Sequence, residues 1–201
     1  MPRRKADLRT EKRQVVDWII ETGIGSPWPI SSFGKCERRN RDGSICGGSH
    51  SKQPLNGPDG RTWAGSRNVP LTPDEIDRLW PHDPNPRATI HDIAFICGPG
   101  FFVLDLDTKT NPELSAMFAE LDAMTLCATT PHDGLHAYFR TPRDRDGNVT
   151  NARVWTPAEG VDIRGAGGLV IVPPSRDRTW TNSLPIAEWR PRSSHEASTG
   201  P

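Results

Sequence analysis

The chain has 201 residues, of which 34% are hydrophobic, with 18 Gly and 20 Pro; this allows one domain of ordinary size with abundant loops and excludes a multi-domain machine. Lys plus Arg and Asp plus Glu both total 25, so no overall positive field draws the chain to nucleic acid or to an anionic membrane, and any site for a polyanion must be local. No apolar run approaches the roughly 18 residues of a membrane span. The basic start is followed by Asp7 and Glu11 instead of an apolar signal core, and four Cys are too few for a secreted disulfide framework. The expectation is a soluble, cytoplasmic protein with no membrane partner.

Residues 6–22 carry Val15, Val16, Ile19 and Ile20 at helical spacing with Gly23 at the capping position, which predicts an amphipathic helix. Its arginines, Arg3, Arg4, Arg9 and Arg13, read as a solvated face. Residues 23–70 are dominated by Gly, Pro, Ser and Asn and read as a long looped region, with Trp28, Ile30 and Phe33 the only strand-like signal. Thr72 as N-cap, Pro73 at the first helical position and Glu75 two residues later start a short helix that runs to Trp80 before Pro81.

Residues 93–97 and 101–107 are apolar runs of strand length broken by Gly98-Pro99-Gly100, and they read as two adjacent strands. Asn111-Pro112-Glu113 opens a helix with Leu114, Met117, Phe118 and Leu121 on one stripe. Residues 126–129, 135–140 and 168–172 read as further strands, and the polar segment 191–201 as a disordered tail. Strands interleaved with a few helices predict an α/β or α+β sheet domain.

Three segments could carry chemistry. Asp105-Leu106-Asp107 ends the strongest apolar run, and residues two apart on a strand share a face, so both carboxylates point the same way. Such a pair can hold a divalent ion with waters and substrate phosphates as the remaining ligands; taken alone, it reads first as a solvated strand end. In the segment 130–139, His136 and Tyr138 share a face and the Gly134 turn delivers His136 at the start of its strand, where it can contact a phosphate. In the segment 160–175, Asp162 and Arg164 alternate with Val161 and Ile163, and Gly165, Gly167 and Gly168 allow a tight turn or a close approach to a ligand. Arg164 offers a fork suited to phosphate. Taken alone, this segment reads equally as a Gly-rich hairpin with an ion pair.

In this order and spacing the three segments resemble the catalytic core of the bifunctional DNA primase/polymerase domain, the prim-pol branch of the archaeo-eukaryotic primase superfamily. The matching features are an apolar strand ending in Asp-x-Asp (Asp105, Asp107), a Gly-x-His-x-Tyr-Phe strand (residues 134–139) and a Val-Asp-x-Arg-Gly segment running to Pro-Pro-Ser (residues 161–175). Lys52 before Gln53-Pro54, Trp80 and Trp180 extend the likeness across roughly residues 10–190. The family's Gly-Gly before the histidine strand is replaced here by Asp133-Gly134, and residues 34–50 look like a loop insertion.

The resemblance implies an α+β archaeo-eukaryotic primase fold: an RRM-like antiparallel sheet packed with helices, joined to an N-terminal α/β unit with the cleft between them. It implies template-directed nucleotidyl transfer, primer synthesis and DNA polymerisation. Asp105, Asp107 and Asp162 would be the catalytic ligands of two Mg²⁺ or Mn²⁺ ions, and His136, Arg164, Lys52, Tyr138 and Ser175 the nucleotide contacts. The implied partners are nucleoside triphosphates, a single-stranded DNA template and a separate replicative helicase, since the sequence has no P-loop motif. A metal-dependent nuclease or phosphohydrolase is the main alternative, because three Asp and a His can also activate water; a non-catalytic nucleotide or single-strand binding module is the other.

Cys36, Cys46 and His50 invite a zinc reading, but a structural site needs four ligands and this spacing lacks the close Cys pair of the common knuckles. An ordinary polar loop is the simpler reading. Metal analysis of the purified protein is accordingly expected to show no stoichiometric zinc, with Cys36→Ser leaving stability nearly unchanged; one zinc per chain would overturn this.

Overall fold

The computed structural model describes residues 5–30, 70–82, 91–131, 133–141 and 159–189. Helix α1 spans Lys5–Thr22 and ends where Gly23, at φ 65°, donates its N–H to Ile20 O. Its apolar stripe, including Val16 and Ile19, is buried. Of the arginines expected on a solvated face, Arg9 and Arg13 are instead buried, as is Lys12 between them, while Arg3 and Arg4 lie outside the described residues. Lys12 Nζ pairs with Asp92 Oδ1 at 2.6 Å, with both side chains about 5% exposed or less, and also donates to His91 O at 2.9 Å. Arg13 reaches Asp17, Asp77 and Trp80 O. The bonds to Asp77, Trp80, His91 and Asp92 tie the helix to segments 64 to 80 residues further along the chain, a connection that no local pattern could reveal.

Strand β1 (Gly25–Ile30) pairs antiparallel with β2 (Asp92–Cys97), and β2 with β7 (Leu169–Ile171), giving a three-stranded sheet. Helix α2 (Pro73–Leu79) starts with the capping box expected of Thr72 and Glu75 and stops at Trp80. The second sheet has the order β4 (Cys127–Thr129), β5 (Leu135–Arg140), β3 (Phe101–Leu106), β6 (Val161–Arg164), all antiparallel. A two-residue strand, β8 (Ala187–Glu188), lies parallel to the end of β5; it is too short to leave a periodic signal. Helix α3 (Ser115–Met124) follows a 3-10 turn at Pro112–Leu114 whose N–H at Glu113 is capped by the Asn111 side chain. The architecture is therefore α+β with two antiparallel sheets and a few helices. No described helix is long and apolar enough to cross a membrane.

Two sequence expectations change. β2 and β3 are consecutive but not paired: Gly98-Pro99-Gly100 carries the chain from one sheet to the other. β6 and β7 likewise belong to different sheets, so Gly165 to Gly168 is a crossing and not a hairpin turn. The two crossings are bonded to each other, Cys97 N–H donating to Gly168 O at 2.8 Å and Gly167 N–H to Cys97 O at 2.9 Å. Alternation alone cannot distinguish a strand that continues its sheet from one that leaves it.

β3 divides the core. Phe102, Leu104 and Leu106 face α3 with Leu114, Leu121 and Phe139, although Met117, expected on that helix stripe, is 40% exposed. Phe101 and Val103 face the other way and pack with Phe95 and Trp28 of the first sheet, Val16 and Ile19 of α1, and Tyr138. The next residue on that face is Asp105, where the apolar cover ends.

The Lys12–Asp92 pair generates a stability prediction. Removing one partner of a buried pair leaves the other charge uncompensated, so Lys12→Ala should cost about 3–5 kcal/mol in urea unfolding, and Lys12→Met with Asp92→Leu much less. A cost of the single substitution within about 1 kcal/mol of zero would contradict the pair's burial.

Candidate active site

The register across the second sheet sets the site. Ala128 of β4, His136 of β5, Asp105 of β3 and Asp162 of β6 are directly opposite one another in a single row. Two residues along on the same face lies the row Tyr138, Val103, Arg164. The hydrophobic pattern enforces this register, since a slip by one residue would turn Leu104 and Leu106 outward and bury the carboxylates. The strands therefore gather Asp105, Asp162, Arg164 and His136 into one open pocket of about 450 Å³, to which Asp107, just past the end of β3, also contributes.

Turns at the pocket's edge hold these strand ends. Asp107 N–H donates to Gly160 O at 2.8 Å, and Gly160 has φ 81°. Asp133 also has positive φ, 62°, so the Asp that replaces the expected glycine occupies a left-handed position that Asp tolerates better than most residues. At Gly134 a Cβ would stand 2.6 Å from Leu106 O and close to Thr130 Oγ1, so only glycine fits where the histidine strand begins.

The polar groups bond one another. Arg164 Nη2 donates to Asp105 Oδ2 at 3.2 Å and to Asp162 Oδ2 at 2.9 Å. His136 Nε2 lies 3.3 Å from Asp105 Oδ1, while its Nδ1 is buried without a partner among the described residues. Burial alone would raise the Asp105 pKa, but the hydrogen bond and charge of His136, joined by Arg164, outweigh it and hold the carboxyl below its ordinary value. Asp107 turns aside, accepting from Lys109 N–H at 3.0 Å and from the Thr110 hydroxyl at 3.2 Å.

Carboxylate oxygens are the right donors for a hard divalent cation, which can be held by one or two carboxylates plus substrate phosphates. Asp105 and Asp162, opposite in register, fit that two-carboxylate role by chemistry and position. Among the described residues no three His, Cys, Asp or Glu side chains converge as a ready ligand set, because Arg164 spans one pair and Asp107 caps its own turn.

Two expected nucleotide contacts lie elsewhere. Tyr138 has the predicted facing but is fully buried, its ring among Phe95, Phe101 and Trp180. The first sheet covers its row of the face, so it supports the pocket from behind. Ser175 is buried too, its hydroxyl accepting from Ile93 N–H at 2.8 Å and donating to Ile93 O at 3.0 Å; it fastens the Pro-Pro-Ser turn to β2. Lys52, Cys36, Cys46 and His50, with the 34–50 insertion and the 191–201 tail, lie outside the described residues. Sequence reading missed Lys109 and Arg178, which also line the pocket. Arg178 sits in the irregular stretch after Ser175, where no period marks a side chain's direction.

The sequence model of the bifunctional DNA primase/polymerase N-terminal family matches residues 28–192, well over half of the chain. The chain belongs to this family. A search of curated proteins finds no match. In this prim-pol domain all three motif segments that carry the likeness meet at the row formed by His136, Asp105 and Asp162.

Directly opposed like charges destabilise a sheet, and Arg164 offsets that between Asp105 and Asp162. Its side chain is 43% exposed, so Arg164→Gln should cost only about 1 kcal/mol at neutral pH. Adding Asp162→Asn should recover most of the loss in denaturant unfolding. A single variant as stable as the parent, or a double variant no better than the single, would contradict this arrangement.

Proposed function

We propose that the prim-pol domain catalyses template-directed nucleotidyl transfer, starting and extending primers on single-stranded DNA from nucleoside triphosphates, within an archaeo-eukaryotic primase fold. The single observation that carries the reading is the row of His136, Asp105 and Asp162, drawn from all three motif segments, lining one open pocket. Family membership supports the same chemistry. The pocket's volume of about 450 Å³ falls within the range of about 300–1,000 Å³ usual for small-molecule sites.

Asp105 and Asp162 would hold Mg²⁺ or Mn²⁺, and Asp107 would serve a second ion by exchanging its bonds to Lys109 N–H and the Thr110 hydroxyl for the metal; such ions stabilise the attacking and leaving oxygens of an in-line phosphoryl displacement. The chain's own groups bind and orient. Arg164 holds the two carboxylates together, and the described residues engage only its Nη2, leaving Nε and Nη1 for phosphate oxygens. His136, largely enclosed, fixes the Asp105 carboxylate through Nε2. Gly134 and Gly160 keep Cβ atoms out of the turns that bound the pocket.

Asp162 is the informative residue because its side chain is 61% exposed, so its replacement disturbs the core little. Asp162→Asn should lower labelled-nucleotide incorporation on a single-stranded template by at least about 100-fold, roughly 2.7 kcal/mol of transition-state stabilisation, while unfolding stability changes by no more than about 1 kcal/mol. Retained incorporation would remove Asp162 from the reaction. Cleavage of the template without primer synthesis by the parent protein would replace polymerisation with hydrolysis.

A further inference from the structure

Arg164 and a divalent ion would compete for the same oxygens. Arg164 Nη2 donates to Asp105 Oδ2 at 3.2 Å and to Asp162 Oδ2 at 2.9 Å, so one nitrogen stands between the two carboxylates. A cation shared by the pair would take that position. The other oxygen of Asp105 is engaged as well, 3.3 Å from His136 Nε2. Of these two partners Arg164 is the one that can leave. His136 is buried and fixed in its row, whereas the Arg164 side chain is 43% exposed. The Arg164 backbone is held by its pairing with Val103 and by the Cys97 thiol, which donates to its carbonyl at 3.4 Å, so departure takes only a rotation of the side chain.

Charge gives that departure a reason. Among the described residues the lining sets Asp105, Asp107 and Asp162 against Lys109, Arg164 and Arg178, an even balance. A divalent ion entering alone upsets it. The ion would also stand beside a guanidinium in a pocket partly withdrawn from water, where like charges repel more strongly than in bulk solvent. Phosphates that arrive with the ion restore the balance and offer the displaced guanidinium another anion.

We propose that Arg164 is an exchangeable counter-ion: it occupies the cation position between Asp105 and Asp162 and leaves it when a divalent ion binds. Through this exchange the pocket holds the ion alone poorly and the ion together with a phosphate-bearing ligand well. The inference rests on the proposed metal role of the two carboxylates and adds to it the coupling between metal and nucleotide, a free energy that is the same whichever ligand binds first.

Two equilibria test this on the full chain: binding of Mn²⁺ alone, from the electron paramagnetic resonance of the free ion, and binding of a preformed Mn²⁺–nucleoside triphosphate complex, by calorimetry. Arg164→Gln should bind Mn²⁺ alone about fivefold or more tighter than the parent and the complex no tighter. Arg164→Lys should fall between them, because it keeps the charge and loses the fork, and Asp162→Asn should weaken Mn²⁺ alone. An Arg164→Gln chain that binds Mn²⁺ no tighter than the parent would overturn the exchange, since removing an arginine that only steadies the carboxylates loosens the ligands of the ion. Equal tightening of the ion and of the complex would overturn the coupling. Mn²⁺ affinity left unchanged by Asp162→Asn, in the parent and in Arg164→Gln alike, would instead overturn the metal role of the carboxylates.

Discussion

The strand pairing of β3 with β5 on one side and β6 on the other is the constraint that creates the site. Because side chains alternate along a strand, the same register that sends Phe102, Leu104 and Leu106 into the core behind the sheet sends Asp105 to the front, opposite His136 and Asp162. The core and the polar row are thus two consequences of one alignment. The carboxylates cannot drift apart without exposing several large apolar side chains, each worth about 1.5–3 kcal/mol when buried.

What makes that front face a pocket and not a second core is where the first sheet stops. Over the row of Tyr138 and Val103 the face is covered by Phe95 and neighbours; at the row of Asp105 the cover ends and solvent enters. The crossings at Gly98-Pro99-Gly100 and Gly165 to Gly168 set this boundary by moving the chain between sheets, and their mutual hydrogen bonds at Cys97 hold the sheets in one arrangement. The glycine-rich stretch after Arg164 therefore acts as a joint between layers. Its neighbour Arg164 stands one row back, opposite Val103, and its guanidinium reaches forward between the two carboxylates.

Much of this was legible in the sequence, for reasons that can be stated residue by residue. The facing of Asp105, His136, Asp162 and Arg164 comes from a period of two, and the start of α2 from the reciprocal chemistry of Thr72 and Glu75. Tyr138 shows the limit of that logic: it shares a face with His136 but lies under the other sheet, and facing does not report cover. Arg13 of α1 looked solvated because its partners Asp77 and Trp80 are remote in sequence. Arg178 lies beyond the last long strand, in backbone with no period to read, and Ser175 gave no sign that its hydroxyl is spent on Ile93.

The same layout sets the electrostatics of the pocket. Two opposed carboxylates are kept together by one arginine, and a second, Arg178, lines the same pocket with no ion pair among the described residues. Such a site suits a ligand that brings both cations and phosphates, and a chain of zero formal net charge can still concentrate a polyanion there. The most direct measurement is a crystal structure of the chain with a non-hydrolysable nucleoside triphosphate and Mn²⁺, read by anomalous scattering. The account predicts a manganese peak within ligand distance of both Asp105 and Asp162, with the phosphates in the same pocket. A peak held by other residues, or a nucleotide bound away from this row, would contradict it.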